Sequence, residues 1–172
     1  MTRKVVMAIL ILVTAFLQCS VFQIFQVASI KPNLLLIVTV SFALMRGRRG
    51  GLLTGFFCGL VLDLFFPGQI GLHAFLYMWI GYLCGYSFRI FYDDDIKTPV
   101  LLVAVSDLVY GFALYLLTFL MRGRIHFFYY LGRIIIPETL YTIVMTILFY
   151  RLLFSLNRSL EKTDKRRIDS FV

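Results

Sequence analysis

Residues 51–63 read GLLTGFFCGLVLD, and this stretch decides the fold. Gly51, Gly55, Gly59 and Asp63 recur every fourth residue, a spacing that sets them along one face of an α-helix. Between them stand Leu52, Leu53, Phe56, Phe57, Leu60, Val61 and Leu62, side chains suited to lipid or to a packed bundle. In lipid, apolar surface gains little by leaving one apolar medium for another. Helices there associate by close packing, and glycine lets two backbones approach. The ridge therefore suits either internal packing of a bundle or a docking face for another protein. The carboxylate at its end needs a partner.

The rest of the chain has the same character. Of its 172 residues, 60% are hydrophobic and only 15% charged, and the mean hydropathy is +0.88. A soluble domain of this size needs more polar surface than that. The apolar stretches between charged clusters approach the roughly 20 residues that cross a bilayer as a helix. An integral membrane protein with little mass outside the membrane is expected. The net charge of +8 does not point to nucleic acid, because six of the seventeen basic residues lie from Arg151 onward and most others flank apolar segments. Such a distribution is what membrane topology requires. Cys19, Cys58 and Cys84 are far apart, with no CxxC pair and no Cys/His cluster, so they read as small apolar residues and no cofactor or metal is implied. Arg3 and Lys4 precede an apolar run from Val5, as in a signal peptide. No small-x-small cleavage pattern follows, and Gln18 is too large to precede a lipidated cysteine, so a retained helix is expected.

Six transmembrane helices are predicted, at about residues 5–25, 32–45, 51–66, 70–91, 99–121 and 137–156, forming an all-α bundle. Pro32, Pro99 and Pro137 open three of them, since a first-turn proline loses no helical hydrogen bond. The second helix is short and must be shielded by neighbours or thin the bilayer. It joins the third through the basic turn 46–50, and the two together are alternatively one re-entrant hairpin. Residues 1–156 make a single transmembrane domain, and 157–172 a basic cytoplasmic tail, a helix end followed by a disordered segment. With both termini in the cytoplasm, thirteen basic residues fall inside and four outside, which supports that orientation. The mixed stretch Arg122–Ile136 reads as interfacial.

A few polar residues stand out. Asp63 and His73 flank the Pro67-Gly68 break and can meet across it. Asp107 lies deep in the fifth helix, where a carboxylate costs about 2.5–3.5 kcal/mol on insertion scales and must face the interior. Arg89, Thr54 and Tyr110 are its candidate partners, and its role is either structural hydrogen bonding or transport. Glu138, in the first turn of the last helix, faces the positive end of the helix dipole. Gly81 and Gly85 repeat the small-residue spacing on the fourth helix. No Ser-His-Asp order, HExxH or nucleotide loop is present, and the only histidines are His73 and His126, so an enzyme is not expected.

Taken together these features resemble a known family. A Pro32-Asn33-Leu34-Leu35-Leu36 helix start leads to a basic turn, then to the Gly51/Gly55/Gly59/Asp63 ridge, a Pro-Gly break, and Gly71-Leu72-His73-Ala74-Phe75. This is similar to MreD, the small bacterial rod shape-determining membrane protein. The motif covers residues 32–85, and hydropathy carries the likeness further. The resemblance implies a non-enzymatic role in the cell elongation machinery of the cytoplasmic membrane, contacting membrane lipids. It implies direct binding of MreC, in an assembly with RodA, a class B penicillin-binding transpeptidase and MreB filaments. It also implies the six-helix architecture of the substrate-binding component of energy-coupling-factor transporters. That shared fold supplies a rival function, a small-molecule-binding subunit for uptake. The Ala-x-x-x-Ala docking pair of such subunits is missing, since Ala8 is followed by Leu12 and Ala15 by Cys19. A membrane enzyme acting on lipid-linked substrates ranks behind both.

Overall fold

A computed structural model of the chain describes residues 2–18, 32–65, 71–89, 97–119 and 131–169. Among these no strand occurs, and the elements are five helices. Helix α1 is Thr2–Phe16, α2 is Leu34–Phe65, α3 is Leu72–Cys84, α4 is Lys97–Phe119, and α5 is Ile136–Asp169. A 3-10 turn, Gly85–Arg89, extends α3, and a π turn, Leu131–Ile135, leads into α5. The second and third expected helices, at about residues 32–45 and 51–66, both lie within α2.

Helix α2 is not straight, however. Gly47 has φ 74° and ψ −168°, a backbone conformation that essentially only glycine adopts without strain. The bend divides α2 into arms 34–46 and 48–65. A Cβ placed on Gly51 would lie 2.6 Å from the Ala43 Cβ, and one on Gly55 3.1 Å from the Thr39 methyl. Both pairs are centred on residue 47, so the arms fold back on each other as an antiparallel hairpin. The first arm is the core of the molecule. Every residue from Leu34 to Ala43 is buried, and α2 touches each of the other four helices. This answers the shortness of the second predicted helix: neighbours shield it on all sides.

Among the described residues two helical stretches are long and apolar enough to cross a membrane, Lys97–Thr118 and Leu131–Ser155. Large apolar side chains face outward along α1, the second arm of α2, α4 and α5, with Leu64 74% and Leu148 66% exposed. Such surface is stable against lipid and would drive aggregation in water.

Several boundaries differ from expectation. Pro32 precedes the helix instead of entering its first turn. The cap is Asn33, whose Oδ1 accepts the Leu36 N–H at 3.3 Å. Pro99 does lie in the first turn of α4, which begins two residues earlier at Lys97. Helix α5 continues to Asp169, past the predicted end near Leu156. Cys19, Gln23, Gln26, Pro67-Gly68, the Asp93–Asp95 loop and His126 with its neighbouring aromatics lie outside the described residues.

Candidate functional site

Three constructions of small and polar residues hold the bundle. The first is a glycine seam between the second arm of α2 and α3. A Cβ on Gly51 would strike the Gly81 carbonyl, one on Gly55 the Tyr77 carbonyl, and one on Gly59 the His73 carbonyl. From the other side, a Cβ on Gly81 would strike the Gly51 carbonyl, and one on Gly85 would lie 2.6 Å from the Arg48 Cα. The two backbones therefore touch along most of α3. Of the two uses the sequence leaves open for the ridge, the structure shows internal packing. It is filled by this chain's own helix and is no open docking face.

The second is a cap. The Asp63 carboxylate accepts the Gly71 N–H (Oδ2, 3.0 Å), the Ala74 N–H (Oδ2, 3.0 Å) and the His73 N–H (Oδ1, 3.2 Å). These are the orphan donors of the first turn of α3. Gly71, the N-cap, is left-handed at φ 93° and has no side chain to do this itself. Asp63 supplies the cap from another helix, and its charge lies at the positive end of the α3 dipole. His73 Nδ1 is 3.1 Å from Asp63 Oδ1, within ion-pair distance but not along a hydrogen-bond direction. The His73 ring meets Tyr110 edge-on at 6.2 Å, and Tyr110 meets Tyr77 at 5.2 Å.

The third is a hub at Asn33, which is 4% exposed. Its Nδ2 donates to Asp107 Oδ1 on α4 at 3.3 Å. Its Oδ1 accepts the Tyr77 hydroxyl from α3 as well as the Leu36 N–H. Its backbone N–H donates to Thr142 Oγ1 on α5 at 3.2 Å. The amide orientation follows from these neighbours, oxygen toward two donors and nitrogen toward a carboxylate. One asparagine thus ties α2 to α3, α4 and α5. Gln18, just past α1, adds the remaining helix: its Oε1 accepts the Leu35 N–H at 3.0 Å.

Asp107 is 3% exposed, and its Oδ1 accepts the Asn33 amide N–H. Thr54 gives its hydroxyl proton to the Gly50 carbonyl on its own helix, Tyr110 packs by its ring, and the Arg89 side chain lies outside those described. The hydroxyls of Thr139 and Thr142 lie beside the Asp107 carboxyl. Their protons go to the Ile135 and Glu138 carbonyls, at 2.9 Å each. Glu138 is half-buried in the first turn of α5, within electrostatic reach of Asp107. Cys84 Sγ meets Ser106 Oγ at 3.2 Å, a further α3–α4 contact. Among the described residues no group of three or more His, Cys, Asp or Glu side chains could hold a metal ion.

A family model described as rod shape-determining protein MreD matches residues 1–160. The chain belongs to the MreD family. It is a membrane protein of the rod shape-determining machinery. No curated protein and no solved structure gave a significant match. In this MreD-family chain the ridge and Asp63 are visible from spacing. Tyr77 and Thr142 are not singled out by any pattern, and Asn33 enters only as part of the Pro32–Leu36 helix start. The one available signal was Asn33 directly after Pro32, a cap position.

The hub makes a graded prediction. Asp107→Asn keeps an acceptor for Asn33, and its melting in detergent should stay near wild type. Asp107→Leu strands the buried Asn33 amide and should cost about 1–2 kcal/mol. Equal loss in both variants, with an ion-dependent flux in vesicles, would instead make Asp107 a transport group.

Proposed function

We propose that the protein is a non-enzymatic, multi-pass scaffold of the elongation machinery in the cytoplasmic membrane. Both termini lie in the cytoplasm, as the thirteen-to-four division of basic residues favours. It holds the membrane helix of MreC and helps couple MreB filaments to peptidoglycan synthesis by RodA and a class B penicillin-binding transpeptidase.

The family match over residues 1–160 carries this reading. The outward apolar faces support it physically. With the glycine seam used internally, a partner's membrane helix packs against side chains on the outside of the bundle, where exposed apolar residues line all five helices. The rival, a small-molecule-binding subunit of an uptake transporter in the energy-coupling-factor fold, needs a small-residue docking pair on α1. In this chain Leu12 stands exposed and Ala15 is turned into the core, 1% exposed.

The test is capture from native membranes with the tagged full chain in mild detergent. MreC is expected in near-equal amount. Recovery of an ATPase with a membrane coupling subunit, or a folded chain that leaves MreC behind, would overturn the proposal.

A further inference from the structure

The hub satisfies Asn33 but leaves half of the Asp107 carboxyl unaccounted for. Oδ1 accepts the Asn33 amide, whereas Oδ2 is fully enclosed and has no hydrogen-bond partner. A charge there also lacks a counterion. Asp107 is the only charged residue between Lys97 and Arg122, and the first arm of α2 carries none from Leu34 to Met45. The titratable groups around it bring no positive charge. Glu138 on α5 is a second carboxyl within electrostatic reach, and the Tyr77 hydroxyl on α3 is given to Asn33. An unpaired carboxylate inside a membrane bundle is among the costliest groups a helix can carry.

The hydroxyls of Thr139 and Thr142 lie beside the carboxyl, yet neither offers it a proton. Each donates at 2.9 Å to the backbone carbonyl four residues earlier, Ile135 and Glu138 respectively. Thr142 Oγ1 also accepts the Asn33 N–H at 3.2 Å. What both threonines turn toward Asp107 is therefore lone pairs. Acceptor oxygens face one another stably only with a positive centre between them. The number of oxygens selects that centre. Three meet here, Asp107 Oδ2 and the two hydroxyl oxygens, because Asn33 Oδ1 already accepts Tyr77 and Leu36. A hard metal ion takes about six or more oxygens. A proton needs only a donor oxygen and an acceptor.

We propose that Asp107 is a proton-binding site, held as the neutral acid with its Oδ2–H donated to the hydroxyl oxygen of Thr139 or Thr142. One proton, taken from water, forms the Oδ2–H bond and cancels the carboxylate charge. Helix α4 then passes through the bundle with no charge at its middle. The new hydrogen bond joins α4 to α5 next to the bond from Asn33 to Thr142. This site is read on the isolated chain and does not depend on which protein the chain binds.

The experiment is infrared spectroscopy of the purified full chain in detergent at neutral pH, in H2O and in D2O. Wild type should show a protonated carboxylic C=O band that moves down in D2O. Asp107→Asn should abolish that band while melting stays near wild type, and Glu138→Gln should leave it in place. Thr139→Val or Thr142→Val, whichever removes the acceptor, should move the band to higher frequency. Melting in sodium chloride and in choline chloride should agree. An Asp107→Asn spectrum that loses no acid band would overturn the proposal, since a rotated threonine hydroxyl would then be donating to a carboxylate. So would a band lost with Glu138→Gln instead, a band that neither valine variant moves, or a sodium-specific stabilisation that Asp107→Asn removes, the mark of a metal-ion site.

Discussion

Gly55→Leu should prevent the second arm of α2 from meeting α3, and folded protein should be lost from the membrane extract. A side chain there meets the Tyr77 carbonyl oxygen and carbon, which belong to the α3 backbone and cannot rotate away. Overpacking typically costs about 1–3 kcal/mol, and a clash with main chain lies at or beyond the upper end. Gly51→Leu should behave alike, since its obstacle is the Gly81 carbonyl. Gly132→Leu is the control, because nothing lies within 4 Å of a Cβ at that position. Size-exclusion profiles in detergent check the expectation: a monodisperse peak for Gly132→Leu, aggregate for Gly55→Leu. Loss of partner binding in Gly55→Leu would then report unfolding, so ridge variants cannot map a docking site. A well-folded Gly55→Leu protein would mean the seam is looser than its geometry.

Asp63→Leu should be the most damaging single polar substitution. It removes the acceptor of three backbone N–H groups at once, in a position only 5% exposed. Hydrogen bonds to a charged group contribute about 1.5–3 kcal/mol each, and release of a buried carboxylate offsets part of that sum. A net loss of about 3 kcal/mol is expected. Asp63→Asn keeps one acceptor oxygen and should fall between Leu and wild type. His73→Phe should matter much less, because the His73 backbone N–H remains and its Nδ1 makes no directed hydrogen bond. Thermal unfolding of the purified variants measures the order. Melting of Asp63→Leu at the wild-type temperature would show that water or lipid can replace the cap.

Much of the site was legible because it is local. Residues four apart share a helix face whatever the fold, so 51, 55, 59 and 63 had to form a ridge. Asp63 and His73 are ten residues apart across one break, and short loops return a chain to its neighbour. The Asn33 hub was not legible, since Asp107 is 74 residues away from it and Thr142 109. No periodicity reports contacts at such separations. The antiparallel hairpin at Gly47 was open for a related reason. A glycine in a basic turn permits φ 74° but does not demand it, and packing of the buried first arm selects the bend.

Composition and helical spacing alone determined that the chain is helical and apolar and carries a side-chain-free ridge. These follow from the chemistry of each residue and the 3.6-residue period, which need no partner. Tertiary structure decided what the ridge touches and which groups satisfy Asp63 and Asp107. A bare backbone accepts any close-fitting helix and a buried carboxyl any available donor, so only the assembled bundle, by bringing α3 and Asn33 within reach, makes the choice.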